Sequence, residues 1–179
     1  MDMYRFLGVP AGTVNHIDPQ AVQAREKDLG YKIPAAYLAL LAIVDGTDES
    51  RPYCPGLLDM DGFAGLAALG SIPAGSDHED WGYPDVGIYF AWTESAGHEA
   101  LVLNYREIRK NGEPSVWILD QELEEGRLLA DTFTEFLEKM HSYYGYPGEC
   151  DSDDYDDEEH EKTYESLVIK PFSQWENIC

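Results

Sequence analysis

EALVLNYREIRKNGEPSVWIL, residues 99–119, decides the fold. Within it Leu101, Leu103 and Tyr105 alternate with Val102 and Asn104, the two-residue period of a strand whose side chains leave on opposite faces. Asn111-Gly112 is the dipeptide that accepts positive φ at both centres of a type I′ turn, and residues 115–119 resume in β-forming side chains. Two strands closed by so tight a turn are antiparallel, because parallel neighbours need a crossover of about a dozen residues or more.

Outward from this hairpin, residues 87–92 read as another strand upstream, and Leu128-Leu129 as a short one downstream. Strands that follow one another through turns make an antiparallel meander. Helices flank it. Asp18 before Pro19 is an N-cap acceptor followed by a residue preset for the first helical position, Ile17, Val22 and Leu29 supply the apolar side, and Gly30 offers the left-handed stop. Pro34 opens a second helix with Tyr37, Leu38, Leu41 and Val44 as its stripe, ended by Asp45-Gly46; its alanines predict deep burial. Thr132-x-x-Glu135 is a capping box before Phe133, Phe136, Leu137 and Met140 at helical spacing. The expected architecture is α+β: one domain over residues 1–179, a mostly antiparallel sheet, and helices near 18–29, 34–44 and 132–141 packed against it. Residues 51–75, punctuated by Gly56, Gly62, Gly65 and Gly70, read as short strands and turns. Tyr164, Leu167, Val168 and Ile169 read as a last strand, with Phe172, Trp175 and Ile178 as a docking segment.

Charge bounds the function. The 35 acidic and 12 basic residues leave a net of −23. Nine carboxylates and no Lys or Arg except the flanking Lys162 fall in or beside residues 149–161. Without those nine, 26 acidic residues still face 12 basic ones, a net of −14, so the acidity belongs to the body as well as to the run. Such a field repels nucleic acid and anionic membrane and speeds encounter with basic partners; it also serves solubility. No stretch approaches the ~20 apolar residues of a membrane span, and no signal-peptide pattern opens the chain, so a cytoplasmic protein is expected. Cys54, Cys150 and Cys179 are far apart and form no CxxC pair.

LGYKIP, residues 29–34, followed by Tyr37, Leu40, Leu41 and Asp45-Gly46, resembles the opening of the SUKH superfamily, in which a helix ends in Leu-Gly before an aliphatic-Pro-x-x-Tyr segment. LADTFTEFL, residues 129–137, is similar to that family's closing helix, and GHEALVLNY, residues 97–105, to its central strand. The likeness spans about residues 16–140. It departs at Asp45, where Asn is commoner, at Asn104, where Asp is commoner, and over the Ala-rich middle. The resemblance implies an α+β domain used mainly as an immunity protein, which binds and neutralises a toxin domain, often a nuclease. A minority of such domains are interaction modules in cell-wall or ubiquitin pathways.

The motifs of catalysis do not assemble. From Asp151, an EF-hand reading meets Asp156 where Gly is needed and Lys162 where Glu is needed; His98-Glu99 lacks a second His at i+4. No cofactor or metal site is implied. No Gly-x-Ser-x-Gly elbow or phosphate loop is present, and Cys54 between Tyr53 and Pro55 reads as a small apolar group. His78, inside Asp77-His78-Glu79-Asp80, is the one candidate general base, for a hydrolase. The same loop has another use: Trp81 and Tyr83 among Asp77, Glu79, Asp80 and Asp85 pair interface-anchoring rings with carboxylates that select a basic partner. The two rings could equally plug the edge of the sheet. Three functions compete: an immunity protein that occludes a cationic toxin, an interaction module without a toxin, and a hydrolase. The non-catalytic readings have the greater support.

Overall fold

The computed structural model describes residues 4, 11–12, 14, 16–44, 82–92, 98–144 and 168–176. Their order is α1 (Pro19–Leu29), α2 (Ala35–Val44), β1 (Gly87–Trp92), β2 (Glu99–Ile108), β3 (Pro114–Asp120), β4 (Glu125–Ala130), α3 (Phe133–Tyr144), β5 (Ile169–Pro171) and α4 (Ser173–Glu176). The five strands form one sheet in sequence order, every neighbouring pair antiparallel. This is the expected α+β meander with helices against it. The readings at residues 51–75, at Tyr164, Leu167 and Ile178, and in the acidic run 149–161 lie outside the described residues. No helix among the described residues is long and apolar enough to cross a membrane.

The central hairpin closes as its sequence requires: Asn111 (φ 57°) and Gly112 (φ 74°) both take positive φ, and the Glu113 N–H donates to the Lys110 carbonyl at 3.0 Å. At the other end of β3 the turn is made by a side chain. Asp120 Oδ1 accepts from the N–H groups of Glu122 (2.9 Å) and Leu123 (3.0 Å), and Glu124 enters the left-handed region at φ 51°.

Both faces of the sheet are covered at its centre. On one, Ile88, Phe90, Leu101, Leu103 and Val116 meet Leu29, Tyr37, Leu40, Leu41, Phe133, Phe136 and Leu137 from the helices. Alternation from Ile88 brings Phe90 to this side, where it stands edge-on to Phe133 (5.4 Å) and Phe136 (5.7 Å), and the register shift after Tyr89 places Ala91 on the same side opposite Leu101. Tyr37 completes the cluster, 5.0 Å from Phe133; burial pushes its phenol far above the ordinary value, and its hydroxyl has no hydrogen-bond partner. The α2 stripe differs from expectation. Tyr37, Leu40 and Leu41 are fully buried, Leu38 flanks the core, and Ala35 and Ala39 face out, because i, i+3, i+4 residues share a face and the alanines occupy the other.

On the opposite face Val86, Tyr89, Ala100, Val102, Trp117 and Leu119 are covered by Tyr83, Phe172 and Trp175. Trp175 meets Trp117 edge-on at 5.0 Å. Lys170 lies 5.7 Å from the centre of the Trp117 ring and pairs with Glu107, which also accepts from Trp175 Nε1 at 3.4 Å. Phe172 and Trp175 are thus buried against this face, while β5 occupies Ile169–Pro171 and Val168 and Ile169 are exposed. Asn104 is buried here as well; its Oδ1 accepts from the Arg106 N–H at 2.9 Å while its Nδ2 is unpartnered, and a buried unpaired donor costs on the order of 1–3 kcal/mol.

Local chemistry fixes the helix ends. Asp18 accepts from the Gln20 N–H at 2.9 Å, and Gly30 stops α1 at φ 75°. Glu26 reaches over the α1–α2 turn to accept from the Ile33 N–H (3.0 Å) and Lys32. Burial raises its carboxyl, but these two donors and the Lys32 charge outweigh that and leave it below the ordinary value. Tyr31 stacks on Tyr105 (4.4 Å), whose hydroxyl donates to the Lys32 carbonyl, so the turn is tied to β2. The capping box of α3 is half made: Thr132 accepts from the Glu135 N–H at 3.1 Å, while the Glu135 carboxylate goes to Lys110 (3.1 Å) and Lys139 (3.2 Å) instead.

Two substitutions test these layers. Phe136→Ala should lower the unfolding free energy by ~3–5 kcal/mol in urea titration, since it empties the centre of an aromatic cluster. At Gly126 a Cβ would sit 2.4 Å from the Trp175 ring and 2.7 Å from Leu119. Gly126→Ala should therefore cost ~1–3 kcal/mol by overpacking and shift the tryptophan fluorescence, and Trp175→Ala in the same chain should abolish most of the added penalty.

Candidate partner-binding surface

Segment 82–86 runs back along the sheet from the β3–β4 turn to the start of β1. A side chain at Gly82 (φ 79°) would meet the Gln121 amide at 3.6 Å, and the Val86 carbonyl accepts from the Tyr105 N–H at 2.8 Å. Between these points Tyr83, Pro84 and Val86 turn inward and Asp85 stays exposed. The Pro84 carbonyl accepts from the Tyr89 hydroxyl at 2.6 Å.

Tyr83 is only 3% exposed, with Tyr89 at 5.7 Å and Phe172 at 6.4 Å. Burial, with Asp120 and Glu99 nearby, pushes its phenol well above the ordinary value. Of the two uses expected for this ring, packing against the sheet fits the observed burial. Asp77, His78, Glu79, Asp80 and Trp81 lie outside the described residues, as does Cys54. What the structure adds is the place where their chain arrives: Gly82 sits beside the β3–β4 turn.

That end of the sheet is acidic. Strand register puts Glu99 beside Asp120 and Asp120 beside Glu125, and the turn adds Glu122 and Glu124. Arg127 pairs with Glu125 at 3.5 Å, and the exposed His98 lies 3.3 Å from Glu122. The opposite end carries cations with partners: Arg109 with Asp131 (3.6 Å), Lys110 with Asp131 and Glu135 (both 3.1 Å), Lys139 with Glu135, and Lys170 with Glu107. Asp131 and Glu135 hold the Lys110 ammonium above its ordinary pKa. Among the described residues, five carboxylates thus gather beside Arg127 and His98 where segment 82–86 enters. Sequence reasoning missed this group, although Asp120-Gln-Glu-Leu-Glu-Glu125 places four carboxylates in a turn between two β-rich runs. Among the described residues, no three His, Cys, Asp or Glu side chains are grouped to hold a metal ion.

Asp120→Ala should remove the acceptor for two turn N–H groups, at a cost of ~1–2 kcal/mol in chemical denaturation, and speed hydrogen exchange at Glu122 and Leu123 before the rest of the sheet.

No curated protein and no solved structure matches the chain. The model of the SMI1 / KNR4 family (SUKH-1) matches residues 16–139, from the cap of α1 into α3, and the protein belongs to that family.

Proposed function

We propose that this protein is an immunity protein, which binds a cationic toxin domain, of a nuclease kind, and covers its active surface without catalysing a reaction. Family membership supports a protein–protein role. The observation that carries the reading is the group Glu99, Asp120, Glu122, Glu124 and Glu125 that strand register and the turn bring together at one end of the sheet, where Arg127 pairs with Glu125 and His98 with Glu122. A nuclease groove is built to hold phosphates, so carboxylates presented on a fixed turn are complementary to it. Asp77, Glu79, Asp80 and Trp81 join this surface on the proposed reading, through the chain that arrives at Gly82, and Asp85 extends it. Tyr83 contributes from beneath, as the buried ring that fixes the segment.

Binding kinetics against the product of the neighbouring gene test the reading. At 0.15 M salt the field reaches only ~8 Å, so the association rate should fall steeply as salt is added. Charge reversal at Asp77, Glu79 and Asp80 should lower the on-rate, and Trp81→Ala should raise the off-rate, costing more than ~2 kcal/mol. Affinity indifferent to salt would reduce the acidity to a solubility device, and tight binding without inhibition would make the protein an interaction module.

A further inference from the structure

Among the described residues, the helix layer does not reach across the whole sheet. Register places Leu101, Ile118, Arg127 and Ile169 in one row on the helix side, from β2 to β5. Leu101 is fully buried, Ile118 is partly buried, and Ile169 is 54% exposed. The next row is Glu99, Asp120, Glu125 and Pro171, and Leu123, 59% exposed, stands in the turn beyond it. The outer strip over β3–β5 is therefore an aliphatic sheet face bordered by carboxylates.

We propose that this strip is a docking surface for a cationic segment of a partner protein, one that presents aliphatic side chains between its Lys or Arg residues. The proposal rests on the basic-partner reading above and extends its acidic group onto the adjoining apolar face of β3–β5. The rim selects the occupant. Nucleic acid and anionic membrane carry the wrong charge, and a second copy would bring an identical carboxylate rim against this one. Arg127 lies within the strip and is already paired with Glu125, so the acidic border keeps its excess. Docking is onto the face rather than the edge, because β5 has only three residues and its Pro171 has no N–H to offer an added strand. Ile169 then supplies the apolar contact, and the carboxylates supply the sign.

The test uses the full-length ¹⁵N-labelled protein and two synthetic probes, a peptide of alternating Lys and Leu and one of alternating Lys and Ser. The Lys/Leu peptide should shift amides at Ile118, Leu123, Arg127 and Ile169, and bind more tightly than the Lys/Ser peptide. Ile169→Ser should weaken the Lys/Leu peptide about tenfold and leave the Lys/Ser peptide unchanged, whereas Ile108→Ser, at a residue 49% exposed at the hairpin end of the sheet, should change neither. Unchanged fluorescence of Trp117 and Trp175 would verify that the Ile169→Ser fold is intact. Salt-sensitive binding that maps elsewhere, or that treats the two peptides alike, overturns the strip while the basic-partner reading stands. Absence of binding by either peptide at low salt overturns both. Self-association that shifts these same amides in the absence of peptide overturns the choice of occupant.

Discussion

Trp175 over Gly126, edge-on to Trp117, is the contact that completes the sheet. β2 and β3 carry apolar side chains on both faces, with Ala100, Val102, Trp117 and Leu119 on the side away from the main helices, and all four are fully buried. An antiparallel sheet can leave one face to water, but not when that face bears an indole and a row of aliphatics. The chain covers it with residues 168–176. The missing Cβ of Gly126 gives the Trp175 ring its place, Lys170 and Trp175 both reach Glu107, and β5 pairs with β4 at only three positions. Side-chain packing holds this segment together with that short pairing, which is flanked by hydrogen bonds from the Leu128 N–H to the Val168 carbonyl (3.0 Å) and from the Phe172 N–H to the Glu124 carbonyl (2.8 Å). It also lies beyond residues 16–139, so the second layer is an addition to the part that matches the family.

Covering both faces sends the charge to the ends of the sheet. An acidic residue in a row of fully buried positions would be a desolvated carboxylate, which costs several kcal/mol unless paired, so the carboxylates collect at turns and strand termini. At the hairpin end they meet Arg109, Lys110, Lys139 and Lys170, and the result is a set of ion pairs that tie β2, β4, β5 and α3 together. At the other end, among the described residues, Arg127 and His98 are paired with the turn carboxylates. Exposed pairs contribute little stability one by one. Their consequence here is to decide which end of the molecule a basic partner meets first.

How much of this was legible depended on whether the signal was local. The Asn111-Gly112 turn, the Asp18 cap, the Gly30 stop and the period-two strand at Glu99 are settled by neighbours in sequence, and each lies where it was read. The capping box was legible only by half: its hydroxyl arm is a local preference, but Lys110, 25 residues away, takes the Glu135 carboxylate. β4 runs from Glu125, ahead of the Leu128-Leu129 pair that announced it, because its first residues are β-forming through their partners on β3 rather than by propensity. The acidic turn was missed for a related reason. Residues Asp120 to Glu125 look like solvated charge until Glu99, more than twenty positions earlier, is paired beside Asp120.

Tyr83 joins the architecture to the proposed surface. An aromatic ring among carboxylates suits an interface anchor, and the same ring suits a core; burial at 3% fits the second use. That gives the ring an indirect part in recognition. A loop that must present carboxylates to a partner loses affinity for every degree of freedom it gives up on binding. With Tyr83 held between Tyr89 and Phe172, Pro84 bonded to the Tyr89 hydroxyl and Gly82 beside Gln121, one end of the acidic segment is ordered before any partner arrives. Phe172 belongs to the C-terminal cover. The segment that closes the second core therefore also positions the chain leading to Trp81, and loosening either one should be felt at the other.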